Sequence, residues 1–411
     1  SHSFPTRRSS DLKGLDNINQ ALEITGIVRP NGGRTMNGKA KSSIMAQFWG
    51  SNQRFWNQII TSMQMPSVIK GIEADIAAGH SVVLQLVNTN ESEQKRALGR
   101  MEEDDAIEDL DMTPRQALMN YVQNAFPIYQ YHEVKDSNGN VHAEIVKDSQ
   151  GNNVVNPEAE ALRDELLTRL GGVRVPDSPL EMILDAFGVD KVAEVTGRKQ
   201  RVVIDPKSGK RIVEKRSTEK CTVDANAFNA GKKRILIFSD AGGTGRSFHA
   251  GLDVNNQQLR RHYLIQPGWR ADNAVQGFGR THRSNQRQAP EYILVCTDLK
   301  GHKRFLSSIA RRLDQLGALT KGQRQTASQG FFTATDNLES FEAERALEKL
   351  IFDLSRGAVE GLTLHEFEAQ TGLVLTKEVG GRLVSAEVSM PQFMNRLLNM
   401  KIDMQSKIFD E

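Results

Sequence analysis

Two arginines lie three residues apart in the run Gln276-Gly277-Phe278-Gly279-Arg280-Thr281-His282-Arg283. This spacing places both guanidinium groups on the same side of a helical turn. A guanidinium group is planar and permanently charged, so it can bind phosphate oxygens and stabilise negative charge that develops on them. The spacing alone favours a simpler interpretation, a pair of solvated arginines on a surface helix.

A glycine-rich loop, Ser239-Asp240-Ala241-Gly242-Gly243-Thr244-Gly245-Arg246-Ser247, directly follows an apolar run. Glycine has no side chain, so the backbone N–H groups of such a loop can approach an anion closely. A tight turn in any α/β protein explains the same pattern about as often. The loop is a second candidate anion site, and the sequence predicts a helix after it.

These candidate residues need a scaffold, and the surrounding sequence alternates strand patterns with helix patterns. Nearly continuous β-branched or apolar runs are typical of strands buried on both faces. The five runs of this kind are Ser81–Val87, Val192–Gly197, Arg234–Asp240, His262–Ile265 and Glu291–Thr297. Helical patterns occupy Val68–Ala78, Leu180–Phe187 and Ala271–Gly279. The alternation predicts an α/β fold with a doubly wound parallel sheet.

Around this sheet the sequence divides into further segments. Residues 13–66 are predicted to be a helical lead-in, with aromatic residues at helical spacing that indicate core packing. Residues 67–325 form the main domain, and an insertion at about 101–175 interrupts it. Two strand-like runs around Asp136-Ser137-Asn138-Gly139-Asn140 predict a hairpin in this insertion, between helices. Residues 326–411 are predicted to be a helical C-terminal extension, because the strand signal stops after about Gln325.

The first twelve residues, 1–12, resemble an in-frame translation of a sequencing adapter. A basic targeting peptide is the rival interpretation, but the segment lacks an apolar core. We therefore do not expect residues 1–12 to belong to the fold.

Composition restricts the kinds of partner and site. The 53 basic and 51 acidic residues nearly cancel to a net charge of +2, so nucleic-acid binding would depend on local patches. The two cysteines, Cys221 and Cys296, provide neither a zinc-site pattern nor a disulfide framework, and a reducing cytoplasmic location is expected. No metal-ligand spacing is recognised. No apolar stretch approaches the roughly 20 residues that span a bilayer, so no membrane partner is expected.

Taken together, the motifs resemble the second motor lobe of superfamily 2 helicases. The pattern Gln276-x-x-Gly279-Arg280-x-x-Arg283 matches motif VI, and Ile235–Arg246 lies upstream in the place of motif V. Ser81–Asn90 occupies the place of motif IV. Four longer segments are similar to the C-terminal helicase region of the strawberry notch family: Gln47–Phe55, Val192–Arg198, Gly279–Gln286 and Phe305–Thr320. The resemblance covers about residues 14–410 and is closest to bacterial, plasmid and phage members.

The resemblance implies a fold and a set of roles. The fold is a RecA-like helicase lobe 2 with an inserted α+β subdomain and a helical C-terminal tail. Arg283 would be the catalytic arginine finger, Arg280 its partner on the phosphates or on lobe 1, and Gln276 would orient one of them or contact the nucleotide. The implied cofactor-binding residues are Asp240, Gly243, Gly245 and Gly279. The implied nucleic-acid-binding residues are Thr244, Arg246, Thr196, Gly197, Arg198, Asn88 and Thr89. For Arg198, an ordinary surface position is an equal alternative.

The implied activity is that of an ATP-dependent helicase or translocase, a hydrolase that uses ATP and Mg²⁺ and acts on nucleic acid, with DNA expected ahead of RNA. The sequence contains no G-x-x-x-x-G-K-[ST] and no D-E-x-[DH], which in this superfamily belong to lobe 1. We therefore expect an N-terminally truncated fragment that is inactive without its own N-terminal lobe. Two alternatives stay open, a non-catalytic nucleic-acid or protein interaction module with a regulatory role, and a larger protein with a fused methyltransferase or nuclease domain.

Overall fold

The computed structural model of this chain describes residues 14–31, 33–87, 114–204, 211–266, 271–303, 306–307, 309, 311, 337–379, 382–385 and 388–410. The strands are β1 (Ser81–Leu86), β2 (Tyr131–Lys135), β3 (Val141–Ile145), β4 (Val192–Val195), β5 (Gln200–Ile204), β6 (Arg211–Lys215), β7 (Ile235–Ser239), β8 (Arg260–Leu264), β9 (Glu291–Leu294), β10 (Thr376–Val379) and β11 (Arg382–Ser385). The helices are α1 (Gly14–Ile24), α2 (Gly38–Ala77), α3 (Arg115–Ala125), α4 (Pro157–Gly171), α5 (Pro179–Phe187), α6 (Thr218–Asn229), α7 (Asp240–Gly243), α8 (Ala271–Phe278), α9 (Phe341–Ser355), α10 (Leu364–Thr371), α11 (Met390–Leu397) and α12 (Ile402–Asp410).

A five-stranded sheet in the order β4-β7-β1-β8-β9 organises the structure, and every neighbouring pair is parallel. Side chains of a strand alternate between its two faces, so a strand covered on both sides must be apolar throughout. In β1, Val82 and Leu84 pack against α2 and α5, whereas Val83 packs on the opposite face with α6. The predicted α/β class with a doubly wound parallel sheet is confirmed.

Helix α2 joins two helical patterns that the sequence presents separately. Its first turn is capped by Asn37, whose side chain accepts a hydrogen bond from the backbone N–H of Ala40. The helix continues through Pro66, and its 40 residues span about 60 Å. Residues before the proline, such as Ile59, pack into one core, and residues after it, such as Ile72, pack under the sheet. One helix therefore belongs to two hydrophobic cores.

The predicted lead-in and the predicted insertion share a single core, although α2 ends at Ala77 and α3 begins only at Arg115. Helix α1 and the first half of α2 pack with α3 and α4, and we call these four elements the N-terminal body. Its buried residues include Ile18, Phe48, Tyr121 and Leu166. The predicted hairpin is confirmed, because β2 and β3 pair antiparallel around the Asn-Gly turn.

Helices α9 to α12 pack around a separate apolar cluster and form what we call the C-terminal body. Helix α10 shows most clearly how the local sequence determines where a helix begins and ends. Thr363 and Glu366 make a capping box at the first turn, and Gly372 ends the helix in the left-handed conformation at φ +63°. Helices α9 to α12 confirm the predicted helical character of this region. The expectation that strands stop after residue 325 is wrong, because β10 and β11 form an antiparallel pair.

Two further differences concern the segments beside the candidate site. The helix predicted after the glycine-rich loop is absent: α7 is a single turn inside the loop, and residues 246–259 are outside helices. The antiparallel pair β5–β6 and helix α6, between β4 and β7, are not predicted by the sequence patterns. Across the described ranges, no helix combines the length and the apolar character needed to cross a bilayer.

Candidate functional site

The candidate residues lie in loops that come after strands β4, β7 and β8 of the central sheet. Thr196 and Gly197 follow β4, the glycine-rich loop follows β7, and the turn that carries Arg280 follows α8 after β8. In open parallel sheets, the loops at this edge form the crevice in which ligands bind. The sheet topology therefore brings together motifs that are far apart in the sequence.

The glycine-rich loop is a tight turn held by its own hydrogen bonds. The Thr244 hydroxyl donates to the Asp240 carbonyl at 2.8 Å, and the Arg246 backbone N–H donates to the Gly243 carbonyl at 3.1 Å. Gly245 has φ +74°, a left-handed conformation that favours glycine. The side chains of Thr244 and the half-buried Asp240 stay near the surface of this edge.

Glycines are required where the loops cross. A Cβ on Gly242 would lie 2.2 Å from the Val195 carbonyl oxygen, so the loop after β7 passes directly over the end of β4. A Cβ on Gly197 would lie 2.9 Å from the Cβ of Ala241, so the two loops also approach each other closely at this position. These approaches explain why the loops contain glycine at these positions without any reference to a ligand.

Arg280 is fixed against the glycine-rich loop. A Cβ on Gly243 would lie 3.2 Å from the Arg280 Nε, and Arg280 Nη1 donates to the Arg246 carbonyl at 3.2 Å. The Arg280 carbonyl in turn accepts the Phe248 backbone N–H at 2.7 Å. Burial lowers the pKa of Arg280; the negative charge of Asp240 opposes this shift, and the positive charge of Arg283 adds to it.

Arg283 is exposed beside Arg280. Its Nε donates to the Gly279 carbonyl at 3.0 Å, and its backbone N–H donates to Gln286 Oε1 at 3.0 Å, so the turn holds the base of the side chain. In the described part of the chain, neither Arg280 nor Arg283 forms a salt bridge with a carboxylate. Two neighbouring positive charges without a paired carboxylate favour the binding of an anion.

A buried chain of hydrogen bonds joins this turn to the centre of the sheet. The Thr281 hydroxyl lies 2.7 Å from His262 Nδ1, and His262 Nε2 lies 3.1 Å from Gln85 Oε1. The amide nitrogen of Gln85 donates to the Asn273 and Ala274 carbonyls of α8 at 3.3 Å and 3.4 Å. These roles are mutually consistent when His262 carries its proton on Nε2 and accepts from Thr281 on Nδ1.

This relay, Thr281–His262–Gln85, holds the segment that precedes Arg283 at two points: Gln85 bonds to the start of α8, and His262 bonds to Thr281 after its end. His262 is fully buried between aromatic rings, and burial lowers its pKa to about 3, so the imidazole stays neutral. Asp240 adds a link at the start of α8, because its carboxylate accepts from Asn273 Nδ2 at 2.7 Å. The sequence motifs do not reveal this relay, since its members lie on three different elements.

The nucleic-acid-binding predictions after β4 differ from the structure at Arg198. Its side chain is fully buried, where it forms salt bridges with Glu194 and with Glu181. The guanidinium group is committed to these carboxylates, so it does not present a charge to a phosphate at the surface. Thr196 is also buried, and its hydroxyl donates to Glu194 Oε1 at 2.8 Å. Gly197 is exposed, and Asn88 and Thr89 lie outside the described residues.

Glu194 is the centre of a buried ionic cluster that the sequence analysis does not predict. Arg201 and Arg216 approach it in addition to Arg198, and Asp224 pairs with Arg216. Burial by itself would raise the pKa of Glu194, but the three guanidinium groups outweigh burial and lower it to about 2. The sequence feature that could have indicated this cluster is a glutamate within the otherwise apolar strand Val192–Val195. The cluster attaches β5 and β6 to the end of β4.

The remaining predicted residues lie at the same edge. Arg246 is half-buried, and its Nη2 donates to the Thr222 hydroxyl of α6 at 3.1 Å. Gln276 is exposed on α8, and Gly279 lies in the turn between the helix and Arg280. Within the described ranges, no three His, Cys, Asp or Glu side chains come together as a candidate metal site.

Comparison with known proteins agrees with this arrangement of elements. Residues 178–411 match a family model described as the C-terminal domain on strawberry notch homologues. The chain belongs to the strawberry notch family. The parallel sheet with its flanking helices is accordingly the RecA-like helicase C-terminal lobe of this family.

Relatives from animals and plants are similar over large parts of this strawberry notch chain. Protein strawberry notch homolog 2 of Mus musculus is 33% identical over 67% of the chain, and Protein FORGETTER 1 of Arabidopsis thaliana is 34% identical over 60%. Protein strawberry notch homolog 1 of Rattus norvegicus is 27% identical over 90% of the chain. The matches span 22%, 22% and 36% of these relatives, so the chain corresponds to a minor part of their length.

Proposed function

We propose that this chain is the second motor lobe of an ATP-dependent superfamily 2 helicase or translocase and supplies its arginine finger. The observation that carries the proposal is the pair Arg280 and Arg283, held without a carboxylate partner in the described residues beside the glycine-rich loop. The transition state of phosphoryl transfer spreads negative charge over the phosphoryl oxygens, and an arginine placed there raises the rate by about 10³–10⁵.

The two arginines suit different tasks. Arg283 is exposed on a fixed turn, so its guanidinium group can reach a phosphate that another domain presents. Arg280 is anchored to the loop and is suited to hold the phosphates or the facing lobe in position. Gln276, exposed one turn earlier, would orient one arginine or contact the nucleotide. ATP with Mg²⁺, when bound, supplies the phosphoryl group that is transferred to water.

The glycine-rich loop would couple the nucleotide side to a nucleic-acid strand. Asp240, Gly243, Gly245 and the Gly279 turn would lie on the nucleotide side of this edge. Thr244 and Gly197 are exposed and Arg246 is half-buried at the same edge, where hydroxyl, backbone N–H and guanidinium groups can contact a phosphate backbone. We propose DNA, ahead of RNA, as the strand. A movement of the loop would then be transmitted to Arg280 through the hydrogen bond to the Arg246 carbonyl.

The proposed activity needs a facing lobe that brings a phosphate-cradling loop and an acidic Mg²⁺ motif, since the sequence contains neither G-x-x-x-x-G-K-[ST] nor D-E-x-[DH]. We therefore propose that this lobe acts together with an N-terminal helicase lobe and does not hydrolyse ATP by itself. Closure of the two lobes around the nucleotide would bring Arg283 to the phosphates.

The test is ATP hydrolysis by the complete gene product that contains this chain, with and without single-stranded DNA. Arg283→Ala should lower kcat by about 10³-fold or more while leaving the unfolding temperature unchanged. Arg287→Ala is the matched control, because Arg287 is an exposed arginine four residues further along the chain; the kcat of this variant should change by less than about twofold.

Wild-type turnover in Arg283→Ala would refute the assignment of the arginine finger. Absence of hydrolysis in the wild-type gene product, with retained DNA binding, would instead support the interaction module as its function. The isolated chain provides a further comparison: hydrolysis that appears only after a separately expressed N-terminal lobe is added would establish that two lobes share the site.

A further inference from the structure

Helix α9 of the C-terminal body has two faces with different surroundings. One face carries leucine and isoleucine side chains that are buried in the core of that body. The opposite face is exposed, although it contains two aromatic rings: Phe341 is 68% exposed and Phe352 is 52% exposed. Phenylalanine is usually buried, because contact between its ring and water is unfavourable. Two such rings on one helix face indicate a surface that another molecule covers.

Four residues form a continuous stripe along this face: Phe341, Arg345, Glu348 and Phe352. We call them the α9 stripe. They are spaced by four, three and four residues, which keeps them on one side of the helix and is also the spacing of a coiled-coil seam. The stripe is about 17 Å long. All four residues are exposed, and within the described ranges neither Arg345 nor Glu348 forms a salt bridge.

An arginine one turn further along the helix holds each phenylalanine ring. The guanidinium carbon of Arg345 lies 5.8 Å from the centroid of the Phe341 ring, and that of Arg356 lies 5.1 Å from the centroid of the Phe352 ring. These cation–π contacts restrict the rings before any partner arrives. A surface that is already ordered loses less entropy when it binds.

The order of residues in the α9 stripe is self-complementary. The order is Phe-Arg-Glu-Phe in one direction and Phe-Glu-Arg-Phe in the other. In a second α9 that runs antiparallel, each arginine therefore faces a glutamate, and each phenylalanine faces a phenylalanine. Opposite charges and aromatic pairs both favour such a contact. A parallel arrangement would instead place each charged residue of the stripe opposite its own counterpart, which is repulsive.

We propose that the α9 stripe binds a second copy of this chain, with the two α9 helices antiparallel about a twofold axis. Phe341 packs against Phe352 of the partner subunit, and Arg345 pairs with Glu348 of the partner subunit. A twofold contact uses the same surface on both copies, so it requires a self-complementary order of residues. Helix α9 contains four acidic and two basic residues, and this balance disfavours a nucleic-acid strand as the occupant. The seam is short, so the dimer is a weak one.

Sedimentation velocity of the chain measures this association. We expect a monomer that converts to a dimer as its concentration rises from about 1 µM to about 1 mM, the range of weak association free energies. Phe352→Asp changes both aromatic layers, because each layer contains this residue once. It should weaken dimerisation by about 100-fold or more and leave a monomer throughout. Val223→Asp is the control, since Val223 is 66% exposed on α6, and it should dimerise like wild type.

A charge exchange tests the antiparallel register. Arg345→Glu places like charges in both central layers and should weaken dimerisation by about tenfold or more. Adding Glu348→Arg to the same chain restores opposite charges in both layers, so the double variant should dimerise within about threefold of wild type. The proposal is overturned if the wild-type chain stays monomeric, which would assign the stripe to a different protein. It is equally overturned if Phe352→Asp dimerises like wild type, or if the second charge substitution restores nothing.

Circular dichroism and the unfolding temperature show whether each variant keeps its fold. Because both phenylalanines and both charged residues of the stripe are exposed, these substitutions should leave the unfolding temperature close to that of wild type.

Discussion

At Gly277, a substitution by alanine has two opposite effects on stability, one from local helix propensity and one from a tertiary contact. Gly277 lies inside α8, where alanine is a better helix former than glycine by about 1 kcal/mol. Helix propensity alone therefore predicts that the alanine variant is more stable. The added Cβ, however, would lie 2.1 Å from the Gln85 Nε2 and 2.3 Å from its Oε1, far inside normal contact distance.

The cost of this contact follows from how Gln85 is held. Its side chain is buried, and its amide bonds both to His262 and to the α8 carbonyls, so it cannot move without breaking the relay. Overpacking of a buried site costs about 1–3 kcal/mol. Displacing the amide leaves the His262 Nε2–H unpaired, which costs about 1–3 kcal/mol more. After the propensity gain is subtracted, Gly277→Ala should lower the free energy of unfolding by about 1–5 kcal/mol.

Urea unfolding at pH 7 would measure this change. Gly171→Ala, at the end of α4, is the matched control, because nothing lies within 4 Å of its added Cβ, and it should be neutral or slightly stabilising. The double variant Gly277→Ala with Gln85→Ala should be more stable than the sum of the single effects predicts, since both disturb the same amide. If Gly277→Ala is as stable as wild type, the close contact between α8 and the Gln85 side chain is refuted.

The remaining predictions concern buried titratable groups. The pKa of Glu194 is about 2 in the folded chain against an ordinary 4.5, so its contribution is complete above about pH 4.5 and is lost as the pH falls towards 2. Glu194→Gln should reduce this dependence of the free energy of unfolding on pH, and it should lower the free energy of unfolding at pH 7 by about 3 kcal/mol or more. An unchanged slope between pH 4.5 and pH 2 would contradict the pairing of Glu194 with the buried arginines. The pKa of His262 is lowered to about 3 from 6.5, so its contribution is complete above pH 6.5 and lost as acid is added. His262→Gln should reduce the slope of unfolding free energy between pH 6.5 and 4.5, measured by urea unfolding with the exposed His282→Gln as control.

Local sequence predicts much of this fold because some elements carry their own signal. A strand covered on both faces must be apolar at successive positions, so β1 and β7 are visible without knowledge of their partners. The Asn-Gly turn predicts the β2–β3 hairpin for a similar local reason. The arginine pair is also visible in sequence, because its spacing and its neighbours are contained in one short run.

Other features depend on segments that meet only after folding. The sequence by itself determined where the buried strands lie along the chain, the doubly wound class of the sheet and the family to which the lobe belongs. Only the tertiary structure shows that α1 packs with α3 and α4. The amphipathic pattern of each helix indicates which face is buried, but not which other helix covers it. It also decided that Arg198 is buried. An arginine is an ordinary surface residue by type, and only the position of Glu194 and Glu181 beside it provides the opposite charge that makes its burial tolerable.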